Sequence, residues 1–202
     1  MKIAVFGATG MVGSRVAAEA VARGHEVTGI SRRGGEVPGA QSRTGDLGDA
    51  DTVREVAAAS DVVVLATVPS RMGGDHEGWL DAVRTALANV GSTRVVMVGG
   101  AGSLELPDGT RLVDAPGFPE EYKPEGQTMA AALDIFRSAP ESVDWTFLCP
   151  APVIMPGERT GTYRVGQDSP AGDEISAEDF AVALVDEIER PAHGLARFTV
   201  AN

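Results

Sequence analysis

Apolar residues follow two rhythms along this chain. Some stretches are short and almost unbroken, such as IAVF from residue 3, VVVLA from 62 and VVMV from 95. In others an apolar residue returns every third or fourth position, as with Val12, Val16 and Ala20, or Leu80, Val83, Leu87 and Val90. Unbroken runs of strand length suit strands covered on both faces, and the longer spacing suits helices with one face turned inward. The first strand ends at Phe6, and a helix follows from about 11 to 23, stopped by Gly24. Strands over 25–30 and 40–45 come next, then a helix capped by Asp49 and running to 59. The apolar run after Asp61 is a fourth strand, 70–78 a polar loop, 77–90 a helix and 93–99 a fifth strand. Residues 100–127 hold many Gly, Pro and charged positions and are expected to be irregular. A helix over 128–138, a strand over 144–148 and a Pro/Gly-rich stretch over 150–172 follow. Ser176 opens a capping-box-like start to the last helix, which runs to about 189, and 197–200 makes a final strand. Strands alternating with helices predict an α/β fold, a doubly wound parallel sheet of the Rossmann type in one domain over 1–202.

The passage from the first strand to the first helix carries the chemistry. In GATGMVG, at 7–13, the first glycine permits a sharp turn, the second a close approach to a pyrophosphate, and the third close packing of helix on strand. The helix then offers free N–H groups and the positive end of its dipole to phosphates. Gly7, Thr9, Gly10, Met11, Val12 and Gly13 are the expected cofactor contacts. A dinucleotide fold selects its ribose after the second strand, by an acid for a 2′-OH or an arginine for a 2′-phosphate. Here Ser31, Arg32 and Arg33 stand there, with the first acid, Glu36, beyond two glycines. NADP(H) is therefore expected over NAD(H), because a guanidinium pairs a phosphate through parallel hydrogen bonds.

Further along the same strand ends, Asp46 and Leu47 are candidates for the adenine, the first by hydrogen bond and the second by flanking the ring. Ala66, Thr67 and Val68 close the fourth strand and Gly99 to Ser103 the fifth, where small residues would let a nicotinamide or substrate lie against the backbone. Ser103 is the candidate donor to a reacting carbonyl. Pro150, at the end of the sixth strand, is a further expected cofactor contact, and Cys149 beside it reads as a packed thiol. His25 and His193 follow helices, and His76 lies in the 70–78 loop near the ligand edge. Trp79 and Trp145 read as packing residues. Scattered histidines and one cysteine leave no metal-site spacing.

Totals narrow the partners. Of 202 residues 43% are hydrophobic and 23% charged, as in ordinary globular chains. A net charge of −12 disfavours nucleic acid and anionic membranes, and no apolar run nears the ~20 residues of a membrane span. One cysteine rules out an intramolecular disulfide and suits a reducing compartment. With no signal peptide ahead of the first strand, a cytoplasmic protein, monomer or homodimer, is expected.

These pieces together resemble an atypical short-chain dehydrogenase/reductase of the NAD(P)H-binding kind, related to NmrA-like proteins and to the flavin/biliverdin-IXβ reductases. The matching segments are GATGMVG at 7–13, SRR at 31–33, GDL at 45–47, MVGGAGSL at 97–104 and ISAEDFAVALVDEIERPAH at 175–193. The resemblance implies NADP bound across the strand ends and reduction of a flavin- or quinone-like acceptor. The chain departs from tyrosine-dependent short-chain dehydrogenases, which use Tyr-x-x-x-Lys: Tyr122 is followed directly by Lys123, and Tyr163 has no lysine four residues on. A conjugated acceptor takes a hydride without that pair, since its proton can come from solvent; loops 69–78, 100–127 and 151–172 would then form its pocket, with Phe118, Tyr122 or Met155 as walls. A non-catalytic NADP-sensing module fits the missing pair equally, and a nucleotide-sugar epimerase or dehydratase fits it less well.

Overall fold

The computed structural model describes residues 1–70 and 74–202. Its strands are β1 (Lys2–Phe6), β2 (Glu26–Ser31), β3 (Gln41–Thr44), β4 (Val62–Leu65), β5 (Arg94–Val98), β6 (Trp145–Pro150), β7 (Val153–Met155), β8 (Arg164–Gly166), β9 (Glu174–Ser176) and β10 (Ala196–Ala201). The helices are α1 (Met11–Ala22), α2 (Ala50–Ala58), α3 (His76–Asn89), α4 (Lys123–Arg137) and α5 (Ala177–Glu189). Eight strands form one sheet in the order β3-β2-β1-β4-β5-β6-β10-β8, parallel throughout except for β8, while β7 and β9 pair in a small separate ladder. The chain winds outward from β1 to β3 and returns on the other side of β1 to β4. That reversal opens a crevice above the carboxyl ends of β1 and β4, the place where such sheets take ligands.

Strand alternation divides the core cleanly. Ile3, Val5, Val62, Val64, Val96 and Val98 face α1 and α5, while Ala4, Phe6, Val63, Leu65, Val95 and Met97 face α2, α3 and α4. Both faces are apolar because both are covered, which is why these strands read as continuous hydrophobic runs. Among the described residues, no helix is long and apolar enough to cross a membrane.

Three expectations need correction. The helix expected over 128–138 starts at Lys123, with Pro124 in its first turn, where a missing N–H costs nothing. The stretch before it is not featureless, since short 3-10 turns occupy Ala101–Ser103, Leu112–Asp114 and Glu120–Tyr122. His76 is the first residue of α3 rather than part of a loop; Asp75 caps that helix by accepting from the Gly78 N–H at 2.8 Å. Residues 71–73 of the expected 69–78 loop lie outside the described residues.

The Pro/Gly-rich stretch after β6 is also more ordered than expected. β8 adds an antiparallel edge to β10, and residues 157–161 are strapped onto α1 and α5. Arg159 pairs with Glu19 through two hydrogen bonds of 2.7 and 2.8 Å, and Thr160 and the Gly161 N–H both bond Asp179. Ser176 caps α5 as its motif foretold, but the Asp179 carboxylate turns to this strap rather than back to the Ser176 N–H, which Asn202 accepts instead.

Candidate functional site

The turn from β1 into α1 is built tightly from below and left open above. Gly7 has φ +82°, and its N–H donates to the Ile30 carbonyl at 2.9 Å, tying the turn to β2. A Cβ at Gly7 would stand 2.7 Å from the Ala66 carbonyl carbon, and one at Gly13 would stand 2.8 Å from the Gly7 carbonyl carbon. Both positions are closed to side chains by the protein itself. Gly10 differs: a Cβ there meets only the Gly7 carbonyl oxygen, at 3.3 Å. Its open side, with exposed Thr9 and Met11, borders the crevice. No side chain caps α1 and its first turn carries no acid, whereas Asp49, Asp75 and Ser176 cap α2, α3 and α5. The N–H groups of Met11, Val12 and Gly13 thus form an uncapped, positively polarised helix end of the kind that cradles phosphates.

Beside this turn, β2 ends at half-buried Ser31, followed by exposed Arg32 and Arg33. Gly34 and Gly35 bend the loop back onto α1's turn, with Gly35 so close to Thr9 that a Cβ would come 2.7 Å from its methyl group. Among the described residues, neither Arg32 nor Arg33 has a side-chain hydrogen-bond or ion-pair partner. Every other described arginine pairs with a carboxylate, except Arg164, which bonds the carbonyl oxygen of Asn202. In a chain of net charge −12, two adjacent arginines without acids at the mouth of a phosphate cradle are a local reserve of positive charge. The residues present fit a dinucleotide.

Other expected contacts are distributed differently. Asp46 is exposed, but one of its oxygens accepts from the Gly48 N–H at 2.8 Å, shaping the turn. Leu47 is buried with Ile30 and Val53 in the core, so it does not present a face to an adenine ring. Ala66 is fixed by its N–H to the Phe6 carbonyl at 2.8 Å, Thr67 accepts from the Trp79 indole N–H at 3.2 Å, and Val68 is exposed. The backbone of Ala66 and Thr67 lies directly against Gly7, where a Cβ would stand 2.7 Å from the Ala66 carbonyl carbon and 3.1 Å from the Thr67 nitrogen.

The small residues after β5 serve packing rather than ligand access. A Cβ at Gly99 would strike the Phe147 ring at 2.7 Å and the Cys149 sulfur at 2.9 Å; one at Gly100 would meet Met129, and one at Gly102 the Gly126 backbone. Ser103 is completely buried, and its hydroxyl donates to the Gly100 carbonyl at 2.8 Å and touches the Cys149 sulfur at 3.3 Å. Burial takes it out of a substrate's reach, which corrects its candidacy as a catalytic donor. Burial also pushes the Cys149 thiol up to about 11, so it stays protonated and inert. Pro150 is buried at the end of β6. Tyr163 donates its hydroxyl to Asp186 at 2.6 Å, and burial together with that bond pushes its phenol far above the usual range.

Sequence reasoning missed the polar contacts of the α3 start. His76 stands between two other elements, with Nε2 3.0 Å from the Ser70 carbonyl oxygen and Nδ1 2.5 Å from the Thr128 hydroxyl of α4. No periodicity signals a pair 52 positions apart. Arg15, likewise unremarked, joins the α1 start to α5 by a 2.6 Å hydrogen bond to Glu178, which also accepts the Gly157 N–H at 2.7 Å.

The sequence profile of a family described as NAD(P)H-binding matches residues 7–191. The chain belongs to that family. A Bacillus subtilis member, the uncharacterized protein YwnB, is 37% identical over 216 residues, covering all of this chain and 99% of its own. A solved structure from Streptococcus pneumoniae, SP1627, named as a candidate NADH-flavin reductase, superposes with TM-score 0.86 at 32% identity over the whole of this chain and 99% of that one. A Bacteroides thetaiotaomicron structure named as a candidate epimerase gives TM-score 0.88 at 34% identity, over 99% and 96%. The resemblance read from the sequence, to NAD(P)H-binding proteins that include flavin reductases, is in keeping with this family and these relatives.

Proposed function

We propose that this family member is an NADPH-dependent reductase that passes a hydride to a planar, conjugated acceptor such as a flavin or a quinone. The observation that carries the cofactor half is the unpaired Arg32–Arg33 dipeptide beside the open face of Gly10. A 2′-phosphate there would receive charge-assisted hydrogen bonds that a bare ribose hydroxyl cannot use. Gly7, Thr9, Gly10 and the first turn of α1 would hold the pyrophosphate, Ser31 with the two arginines the 2′-phosphate, and Asp46 the adenine side. Ala66, Thr67 and Val68 would flank the nicotinamide. The cofactor supplies the hydride, and the chain's own task is to hold the acceptor against it and exclude water. Segments around 66–70, the 3-10 turns of 101–122 and the exposed residues Val153 and Met155 would wall the acceptor. A cytoplasmic setting accords with the single buried thiol.

The name of the Streptococcus pneumoniae relative supports the acceptor class and points to NADH, so the phosphate preference is the part to test first. Calorimetric titration with NADPH and NADH is expected to show a clear preference for NADPH. Steady NADPH oxidation with riboflavin or menadione is then expected. Tight NADPH binding with no turnover on any acceptor would instead favour the sensing module, in which loop conformation is read by a partner.

A further inference from the structure

We propose that His76 is a positioning residue that sets the gap in which the acceptor lies; this rests on the reductase reading above. On that reading the acceptor gap would have two walls. One is the segment leaving β4, from Ala66 to Ser70, held at its start by the Ala66 N–H bond to Phe6. The other is the start of α4, which packs on the largely buried turn Ala101–Ser103 through the close approach of Gly102 to Gly126 and of Gly100 to Met129. The imidazole of His76 joins them. The Ser70 carbonyl can only accept, so Nε2 carries the proton of that 3.0 Å bond, while Nδ1 faces the Thr128 hydroxyl at 2.5 Å. Thr128 is buried one turn into α4, and its hydroxyl also stands 2.8 Å from the Pro124 carbonyl oxygen, which fixes it to the start of that helix. Trp79, one turn on from His76, adds its bond to Thr67. The first turn of α3 therefore grips the β4 wall at two points and the α4 wall at one, and His76 holds both walls with a single ring.

A side chain of this kind would act on the acceptor and not on the cofactor's phosphates, which the turn at Gly10 would hold. His76→Ala and Thr128→Val should each lower kcat/KM for menadione about tenfold, the scale of one hydrogen bond, with the NADPH Kd within about twofold of the parent. The double variant should lose no more than either single variant, because both break one linkage. Thr128→Ser, which keeps the hydroxyl, should restore the parent value. Unchanged kcat/KM in both single variants, losses that multiply, or NADPH affinity falling as far as kcat/KM would each overturn the proposal. An arm independent of turnover is amide exchange over Ala66–Ser70: His76→Ala should speed it while leaving Met11–Gly13 unchanged, and identical exchange refutes the latch. Absence of NADPH oxidation by the parent with both menadione and riboflavin is a failure of the reductase reading alone, and amide exchange then decides for or against the latch.

Discussion

Gly13 rests directly on Gly7: a Cβ on the former would stand 2.8 Å from the carbonyl carbon of the latter, inside van der Waals contact with rigid backbone. The neighbouring glycine of the same motif, Gly10, has no such obstacle, since its one near neighbour is 3.3 Å away. Two residues of one short motif are thus glycine for different reasons, one inside the fold and one outside it. Gly13→Ala should cost about 2–3 kcal/mol of stability by overpacking, read as a lowered denaturation midpoint. Gly10→Ala should cost less than about 1 kcal/mol yet weaken NADPH binding at least about tenfold. If the two substitutions destabilise the fold equally, the division of labour is wrong.

The arginines can be tested against the two cofactors. Replacing both Arg32 and Arg33 with Ala should weaken NADPH by about tenfold to a hundredfold, the range for hydrogen bonds to a charged group, and leave NADH almost unchanged. Stability should not move, because neither side chain has a partner to lose among the described residues. Equal loss of both cofactors would remove the 2′-phosphate assignment.

Acid should loosen the strap over α1 and α5 only below the usual carboxylate range. Burial pushes the Asp179 carboxyl up, but hydrogen bonds from Thr160, Gly161 and Asn202 outweigh it and hold the group below the usual carboxylate range. A group depressed in this way contributes stability that is full above its unfolded value, about 4, and is lost as the pH falls through the lower folded value. Asp179→Asn should therefore be less stable than the parent by about 1–3 kcal/mol near neutral pH, with the gap narrowing as the pH falls below about 4. Urea midpoints measured across that range would show it, and parallel curves would count against it.

Cys149 should resist modification. Buried, and pushed up to about 11, it is a thiol with no access to reagent in the folded chain. A maleimide at mildly alkaline pH should label it only after denaturation. Rapid labelling of the native protein would mean that the packing of Ser103, Phe147 and Gly99 around the sulfur opens readily.

What the chain reveals on inspection follows from which interactions are local. The β1 turn, the α1 start and the Asp49 and Ser176 caps are settled within a few residues, so their patterns are visible in order along the sequence. The apolar strands are visible because both sheet faces are covered. Gly99, Gly100 and Gly102 mislead for the opposite reason: smallness after a strand reads as room for a ligand, yet the space is taken by Phe147, Met129 and Gly126, which come later in the chain. Ser103 misleads in the same way. Pro124 and Gly126 look like loop residues and are the first turn of α4, because a helix start tolerates what its middle does not. His76 is recognisable as polar and near the ligand edge, while its partner Thr128 becomes visible only when α3 and α4 lie side by side.

The position of β10 bears on how the molecule is made. Ala196–Ala201 does not trim the rim of the sheet; it sits between β6 and β8, so β8 has nothing to pair with until those six residues arrive. Its contacts with β6 span about fifty positions of sequence, a separation that makes such pairing slow. A nascent chain halted before Ala196 would leave the flank of β6 bare and the strand after the strap homeless. Ribosomal stalling or proteolytic nibbling at that point would leave an open edge that invites aggregation, on the flank of the sheet away from the β1 turn and its Gly10.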